Sequence, residues 1–334
     1  MNRKIRWGIL STAAIGIDKV IPAMQRGKWS EISAIASRDI DKARQVAQRL
    51  GIPRAYGSYE ELLADDEIEA IYNPLPNHLH VPWTIRAAEA GKHVLCEKPI
   101  GLNLDEARQV LATRDRTGLK IQEAFMVRTH PQWIGTLELI KSGRIGDLRA
   151  ILGSFSYFNR DPANIRNKPE IGGGALMDIG CYPISLSRFI FGAEPRRVLG
   201  LIERDPDLGT DRLTSALLDF RAGHSSFTCS TQMVPYQRMQ ICGTRGRIEV
   251  EIPFNAPPDR PTRILIHDGS DLAGNNPDVM EFTACDQYTI QGDLFSRAIL
   301  ENSAQAVPLE DAIRNMTVID ALFRSAAAAD WEAI

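Results

Sequence analysis

His93-Val94-Leu95-Cys96-Glu97-Lys98-Pro99 is an apolar run that ends in an acid, a base and a proline. Val94 to Cys96 has the character of a short buried strand, and Pro99, with no N–H to donate, stops it. The stretch predicts a lysine at the carboxyl end of a strand, which is where open α/β sheets bind their ligands. Everything before it reads as a nucleotide-binding unit, and the chain beyond Lys120 reads as a scaffold bringing further polar groups to Lys98.

Upstream, Lys4 to Leu10 is β-rich, and Ile17, Val20, Ile21 and Met24 then recur at helical spacing. Between them lies Ser11-Thr12-Ala13-Ala14-Ile15-Gly16, where a dinucleotide fold carries G-x-G-x-x-G; here the pattern is S-x-A-x-x-G. Small residues still let a backbone approach closely, and a helix N-terminus offers N–H groups and partial positive charge to a pyrophosphate. Ser11, Thr12, Ala13 and Ile15 are therefore candidate cofactor contacts, the first two with hydroxyls to add.

A second strand, Glu31 to Ser37, runs into Ser37-Arg38-Asp39, with Asp39 the expected N-cap of a helix over Ile40 to Leu50. An acid at the end of this strand holds the ribose 2′-hydroxyl of NAD, whereas a 2′-phosphate needs cations and donors. Ser37, Arg38 and Lys42 supply the latter, so NADP(H) is the expected cofactor and NAD(H) the alternative. Strand Ile68 to Tyr72 ends in Asn73-Pro74-Leu75-Pro76-Asn77-His78-Leu79-His80, whose prolines forbid helix and expose backbone at the same sheet edge. Asn73, Pro74, Leu75 and Asn77 are candidate cofactor neighbours, and His80 either borders the cofactor or caps the helix Val81 to Ala90. His78 and His80 lack further ligands nearby, so no metal site is expected. Asn103 and Glu106 form a capping-box-like start to a helix ending at Thr117, and Lys120 to Ala124 is a strand. This alternation predicts a doubly wound parallel sheet, a Rossmann domain over residues 1–122.

Beyond it the rhythm changes. A helix over His130 to Ser142 and a strand over Asp147 to Tyr157 precede the glycine-rich Ile171-Gly172-Gly173-Gly174-Ala175-Leu176-Met177-Asp178-Ile179-Gly180-Cys181-Tyr182-Pro183, which leads into a helix reaching Phe191. Successive β-like runs from Arg197 to His267 predict an open, mostly antiparallel sheet, and helices return over Gln291 to Glu301 and Glu310 to Ala329. Residues 123–334 are thus expected to form a C-terminal α+β domain. Tyr288 is expected to approach the cofactor from this second domain.

A chain of 334 residues exceeds the size at which one core stops growing, which agrees with two domains. The net charge of −3 is spread through the chain, so neither nucleic acid nor a membrane surface is the expected partner. Five cysteines without a C-x-x-C pair suit reduced thiols, and no run reaches the roughly 18 apolar residues of a spanning helix, so the expected location is the cytoplasm.

The loop after the first strand, Asn73 to His80, Glu97-Lys98-Pro99 and Gly172 to Tyr182 together resemble the glucose-fructose oxidoreductase, inositol dehydrogenase and MocA (Gfo/Idh/MocA) family across essentially the whole chain. The resemblance implies NAD(P)-dependent oxidation or reduction of a sugar, cyclitol or related carbonyl compound, and homodimers or larger homo-oligomers formed through the C-terminal sheet. Glu123-Ala124-Phe125-Met126-Val127-Arg128 and Tyr182 resemble the dimeric dihydrodiol dehydrogenase and NADP-dependent D-xylose dehydrogenase branch. That likeness puts Arg128 on the substrate side, and Asn164 and Arg166 resemble the branch's substrate loop, a surface arginine being the alternative. The family's matching lysine is taken as essential. Ser11 and Ala13, standing where glycines are commoner, are the departure.

The chemistry stands beside the likeness. Hydride transfer to a carbonyl leaves an alkoxide that needs a proton, and tyrosine, with a pKa of about 10, is too weak an acid unless a cation sits beside its phenolate. Lys98 meets that need and can also hydrogen-bond the reacting oxygen. Asp178 and Tyr182, four residues apart, are expected on one helix face, with Tyr182 the proton donor and Asp178 orienting the substrate or balancing the lysine's charge. Glu97 and Lys98 are expected to border the cofactor. The competing class is a non-catalytic NAD(P)-sensing regulator of the same fold, which has no need of a proton relay.

Overall fold

The computed structural model describes residues 3–334. Two compact units form, one from Met1–Met126 with Asp286–Ile313, the other from Val127–Cys285 with Arg314–Ile334.

The first unit holds six parallel strands: β1 (Ile5–Leu10), β2 (Ser30–Ala36), β3 (Arg54–Tyr56), β4 (Ala70–Asn73), β5 (His93–Cys96) and β6 (Ile121–Glu123). Their order, β3-β2-β1-β4-β5-β6, reverses direction between β1 and β4. This is the switch point at which doubly wound sheets open a crevice. Helices α1 (Ile21–Gln25), α2 (Ile40–Leu50), α3 (Tyr59–Leu63), α4 (His80–Glu89) and α5 (Leu104–Thr117) connect the strands. Asp39 caps α2 by accepting from the Asp41 and Lys42 N–H groups, as its position predicts. At α5, Asn103 accepts from the Glu106 N–H while the Glu106 carboxylate accepts from the Leu102 N–H.

The second unit is one nine-stranded sheet: β7 (Leu148–Phe158), β8 (Arg197–Arg204), β9 (Asp211–Phe220), β10 (Gly223–Ser230), β11 (Gln232–Gly243), β12 (Arg247–Val250), β13 (Thr262–His267), β14 (Asp278–Phe282) and β15 (Glu332–Ala333), in the order β14-β13-β12-β11-β7-β10-β9-β8-β15. Among the described residues only the β7–β10 pair is parallel; the remaining seven pairs are antiparallel. Helices α6 (Pro131–Lys141) and α7 (Cys181–Phe191) belong to this unit. Period-two alternation sends Ile151 and Phe155 of β7, Ala216 and Leu218 of β9 and Phe227 of β10 into the core. Leu152, Leu201 and Leu217 are left exposed on the opposite face.

Helices α8 (Gln287–Leu300) and α9 (Leu309–Ala328) lie between β14 and β15, and α8 falls in the first unit, where a single boundary at 122/123 was expected. It packs on the Rossmann sheet: Trp7 lies 5.6 Å from Phe295 and donates its indole N–H to Ser296 Oγ at 3.0 Å. Asp293 accepts from the Lys28 and Trp29 N–H groups, both at 2.9 Å. A helical period shows that α8 exists but not which sheet its apolar face meets. Tyr288 consequently stands in the first unit, not the second.

The turn leaving β1 is strained at one residue. Ser11 has a φ of +79°, in the left-handed region where a Cβ is disfavoured, and its Oγ accepts from the Ala13 N–H. This is the position at which a dinucleotide loop places its first glycine. Ser11→Gly and Ser11→Ala both remove the hydroxyl, so their difference isolates the backbone: the glycine variant is expected to be the more stable by about 1 kcal/mol in urea unfolding. Equal midpoints would show that the turn tolerates a Cβ without strain.

Candidate active site

Parallel pairing brings the carboxyl ends of β1, β2, β4 and β5 to one edge of the first sheet, and the predicted cofactor residues sit there. Gly16 begins a π-helical turn, and a Cβ built on it would lie 3.7 Å from Pro74 and 3.8 Å from the Tyr72 ring, so the loops after β1 and β4 adjoin. The helical segment already begins at Ala14, where the Ile17 N–H donates to the Ala13 carbonyl, so the loop after β1 runs directly into a helix N-terminus. At the end of β2, Ser37 is buried and accepts from the Asp39 N–H, while Arg38 and Lys42 are exposed. Arg38 stands beside the phenol of Tyr59, whose pKa burial raises and the guanidinium offsets. The nearest acid, Asp39, is engaged with α2.

Asn73 and His80 prove to be internal. Asn73 is fully buried, donating to the His80 carbonyl and Thr84 Oγ1 and accepting from the Leu75 N–H. It shapes the Pro74-Leu75 turn from beneath. His80 places Nε2 2.6 Å from the Leu75 carbonyl and Nδ1 2.7 Å from the Pro99 carbonyl, tying the two loops together instead of capping α4. Burial lowers its pKa to about 4, with the nearby Lys98 charge pressing the same way and the two carbonyls pressing against it. A neutral ring can donate to only one of the two.

Glu97 and Lys98 each act on buried neighbours of the first unit. The buried Tyr72 phenol donates to Glu97 Oε1 at 2.6 Å, and Glu97 also acts on Tyr288, whose phenol burial first and the carboxylate second push upward. The Lys98 charge is felt by His80. Beyond a cis Lys98–Pro99 bond, the buried Glu123 accepts from the Ile100 N–H at 2.7 Å and fixes the chain's exit.

In the second unit the three glycines have separate causes. Gly172 adopts φ +84° where a 3-10 turn ends; a Cβ on Gly173 would meet the Arg166 carbonyl at 2.6 Å; one on Gly174 would meet Asp211 Oδ1 at 1.8 Å. After them a π-helical turn, Leu176–Gly180, carries Asp178 into α7, which carries Tyr182. Asp178 Oδ2 accepts from the Tyr157 phenol at 2.7 Å and from Arg166 Nε at 3.0 Å. The Asp178 carboxylate is the first cause raising the Arg166 pKa, and Tyr182 lies close enough to contribute as well. Burial, then Asp178, pushes the Tyr157 phenol far up. Tyr182 itself is held by Phe155 and Phe254, at ring distances of 5.8 and 5.6 Å.

Asp178, Tyr182 and Arg166 therefore come together, joined by Tyr157, which no sequence motif singles out. The usable signal was β-alternation, since Tyr157 shares its strand face with the core residue Phe155. Asn164 accepts from the Arg166 N–H and so shapes the loop that bears the guanidinium. Arg128 is anchored on α7, donating to Ser185 Oγ at 3.2 Å with its guanidinium 4.5 Å from the Phe189 ring centroid.

Residues 5–125 match the oxidoreductase family with an NAD-binding Rossmann fold, and residues 136–249 match the GFO/IDH/MocA C-terminal domain. An uncharacterized oxidoreductase of Rhizobium meliloti is 49% identical over 99% of both chains, and a D-xylose 1-dehydrogenase (NADP(+)) of Haloferax volcanii is 39% identical over 96% of this chain and 97% of its own. The crystal structure of a 3-ketoreductase from Actinomadura kijaniata, in complex with NADP and TDP-benzene, superposes with a TM-score of 0.90 at 29% identity, covering 96% of this chain and 98% of that one. With an NAD-binding Rossmann unit, a matching C-terminal domain and relatives named as dehydrogenases and reductases, the chain belongs to the Gfo/Idh/MocA family of oxidoreductases.

Proposed function

We propose that the protein is an NADP-dependent oxidoreductase that interconverts a carbinol and a carbonyl on a sugar, cyclitol or related small molecule. The observation that carries this reading is the grouping of Asp178, Arg166, Tyr157 and Tyr182 at the head of one helix. Polar side chains gathered beside an aromatic wall suit a hydroxyl-rich substrate. The names of the xylose dehydrogenase and the 3-ketoreductase support the same class.

Ser11, Thr12, Ala13 and Ile15 would hold the pyrophosphate, with Ser37, Arg38 and Lys42 on the 2′-phosphate. Pro74, Leu75, Asn77, Glu97 and Lys98 would border the rest of the cofactor; Asn73, His80 and Tyr288 would support that edge from within. Bound NADPH supplies the hydride. In the reducing direction Tyr182 gives its phenolic proton to the alkoxide, Lys98 hydrogen-bonds that oxygen and stabilises the phenolate, and Asp178 with Arg166, Asn164 and Arg128 orients the hydroxyls. Oxidation runs the same transfers backwards.

The exposed leucines of the second sheet support a homodimer through that face. Leu201 is 76% exposed, and Leu152 and Leu217 accompany it around Leu199, Ser215, Ser226 and Thr228, an apolar patch of the kind that marks an interaction surface.

NADPH fluorescence is expected to fall when the matching aldose or dicarbonyl is added from a panel. Lys98→Met should lower that rate by about 10²-fold or more while leaving NADPH binding measurable. Wild-type rates in the variant would remove Lys98 from the mechanism, and NADPH binding without reduction of any carbonyl would favour the sensor. Arg38→Asp should reduce the NADP-over-NAD affinity ratio by about tenfold or more in titrations, since a charge-assisted contact is worth roughly 1.5–3 kcal/mol; an unchanged ratio places the 2′-phosphate elsewhere. Leu201→Glu should convert a light-scattering dimer to a monomer with unchanged circular dichroism, and a persistent dimer would exclude this face.

A further inference from the structure

We infer that Asp211 is a positioning residue, its buried carboxylate capping the turn that carries Asp178 and thereby setting the face that Asp178 and Tyr182 present. The inference deepens the proposed function, on which it rests for its kinetic consequence.

The turn has no cap of its own, since Ala175 at its head has no polar side chain to offer. Asp211, the first residue of β9, fills that role from another element. Its Oδ2 accepts from the Leu176 N–H at 2.6 Å and from Thr214 Oγ1 at 3.1 Å. The other oxygen, Oδ1, occupies the space where a Cβ on Gly174 would stand, and Gly174 adopts φ +123° beside it. Gly174 in turn offers its carbonyl to the Asp178 N–H at 3.1 Å. One carboxylate thus holds the Leu176 N–H and abuts Gly174, and the Gly174 carbonyl holds the Asp178 N–H. A helix end buried without partners is unfavourable, and a side-chain acceptor on its first N–H groups removes that cost.

Asp211 is 1% exposed. Burial pushes its pKa up to about 6, against the pull of the Leu176 N–H, the Thr214 hydroxyl and Arg204. Tyr157 and Cys229 are among the titratable groups that feel it. Because the folded value lies above the ordinary one, near 3.8, the folded state holds the proton longer than the unfolded chain. Stability contributed by the protonated form is therefore lost as pH rises from about 4 through about 6. Above that window the carboxylate is the stronger acceptor, and the turn is best held when the fold is least relieved.

Hydrogen-exchange mass spectrometry of residues 175–182, with pH-rate profiles of the wild type, Asp211→Ala, Asp211→Asn and Gly174→Ala, tests the assignment. Asp211→Ala should speed exchange of that segment at least tenfold and lower kcat at least tenfold per NADPH-binding site. Gly174→Ala, which forces a methyl into the carboxylate's place, should do the same. Asp211→Asn keeps an acceptor for Leu176, so it should restore protection and most of kcat but lose the acid limb of kcat/KM near pH 6 that is expected of the wild type. Wild-type exchange in Asp211→Ala, or the same acid limb in Asp211→Asn, overturns the inference. If the wild type reduces no carbonyl at all, the proposed function falls, and the exchange measurement still decides the role of Asp211.

Discussion

The bond from the buried Tyr72 phenol to the half-buried Glu97, 2.6 Å long at the carboxyl ends of β4 and β5, holds the acid of Glu97-Lys98-Pro99. A carboxylate removed from water without a donor costs several kcal/mol, and the phenol supplies the donor. Glu97 is therefore held toward Tyr72 and Tyr288, while the Lys98 charge acts on His80. The phenols answer in kind, both raised by burial and by the carboxylate, so they remain protonated donors at any physiological pH. Tyr72 also lies beneath Gly16, so a single ring supports the loop after β1 and orders the acid after β5.

The second unit reaches its polar cluster by a different route. In the first, topology does the work, because parallel strands deliver their carboxyl ends to one edge whatever the side chains are. In the second, Asp178 is placed by a chain of contacts: Asp211 on the Leu176 N–H, the Gly174 carbonyl on the Asp178 N–H, then Tyr157 and Arg166 on the Asp178 carboxylate. The three glycines let that chain close: Gly172 and Gly174 adopt positive φ, and a Cβ on Gly173 or Gly174 would strike the Arg166 carbonyl or the Asp211 carboxylate.

This difference explains what could be read from residues alone. The strand ends, the α2 cap at Asp39, the α5 cap at Asn103 and Glu106 and the change from alternating to meandering architecture all rest on local signals, periodicity and punctuation, and they appear where those signals put them. Asn73 and His80 were legible as members of the crevice edge but not as buried ties within it, because direction relative to the surface depends on neighbours such as Pro99 that are distant in sequence. The placement of α8 with the first unit failed for the same reason. Its decisive contacts, Trp7 with Phe295 and Asp293 with the Trp29 N–H, span more than 260 residues of chain. Tyr157 and Asp211 went unnoticed because neither sits in a motif; each matters through the single group it touches.

The charge balance of the cluster bears on the proton donor. Arg166 is a cation close enough to interact with Tyr182, and a guanidinium beside a phenol would lower its pKa. Here, though, its charge is matched by Asp178 at 3.0 Å, with Asp178 the first cause of the shift in Arg166. A balanced pair has little field left for a third group, so the guanidinium that Asp178 holds is a weak source of positive potential for its neighbours. The proposed mechanism therefore requires a second cation beside the phenol. The proposal gives that role to Lys98, whose charge is felt by His80 in the first unit.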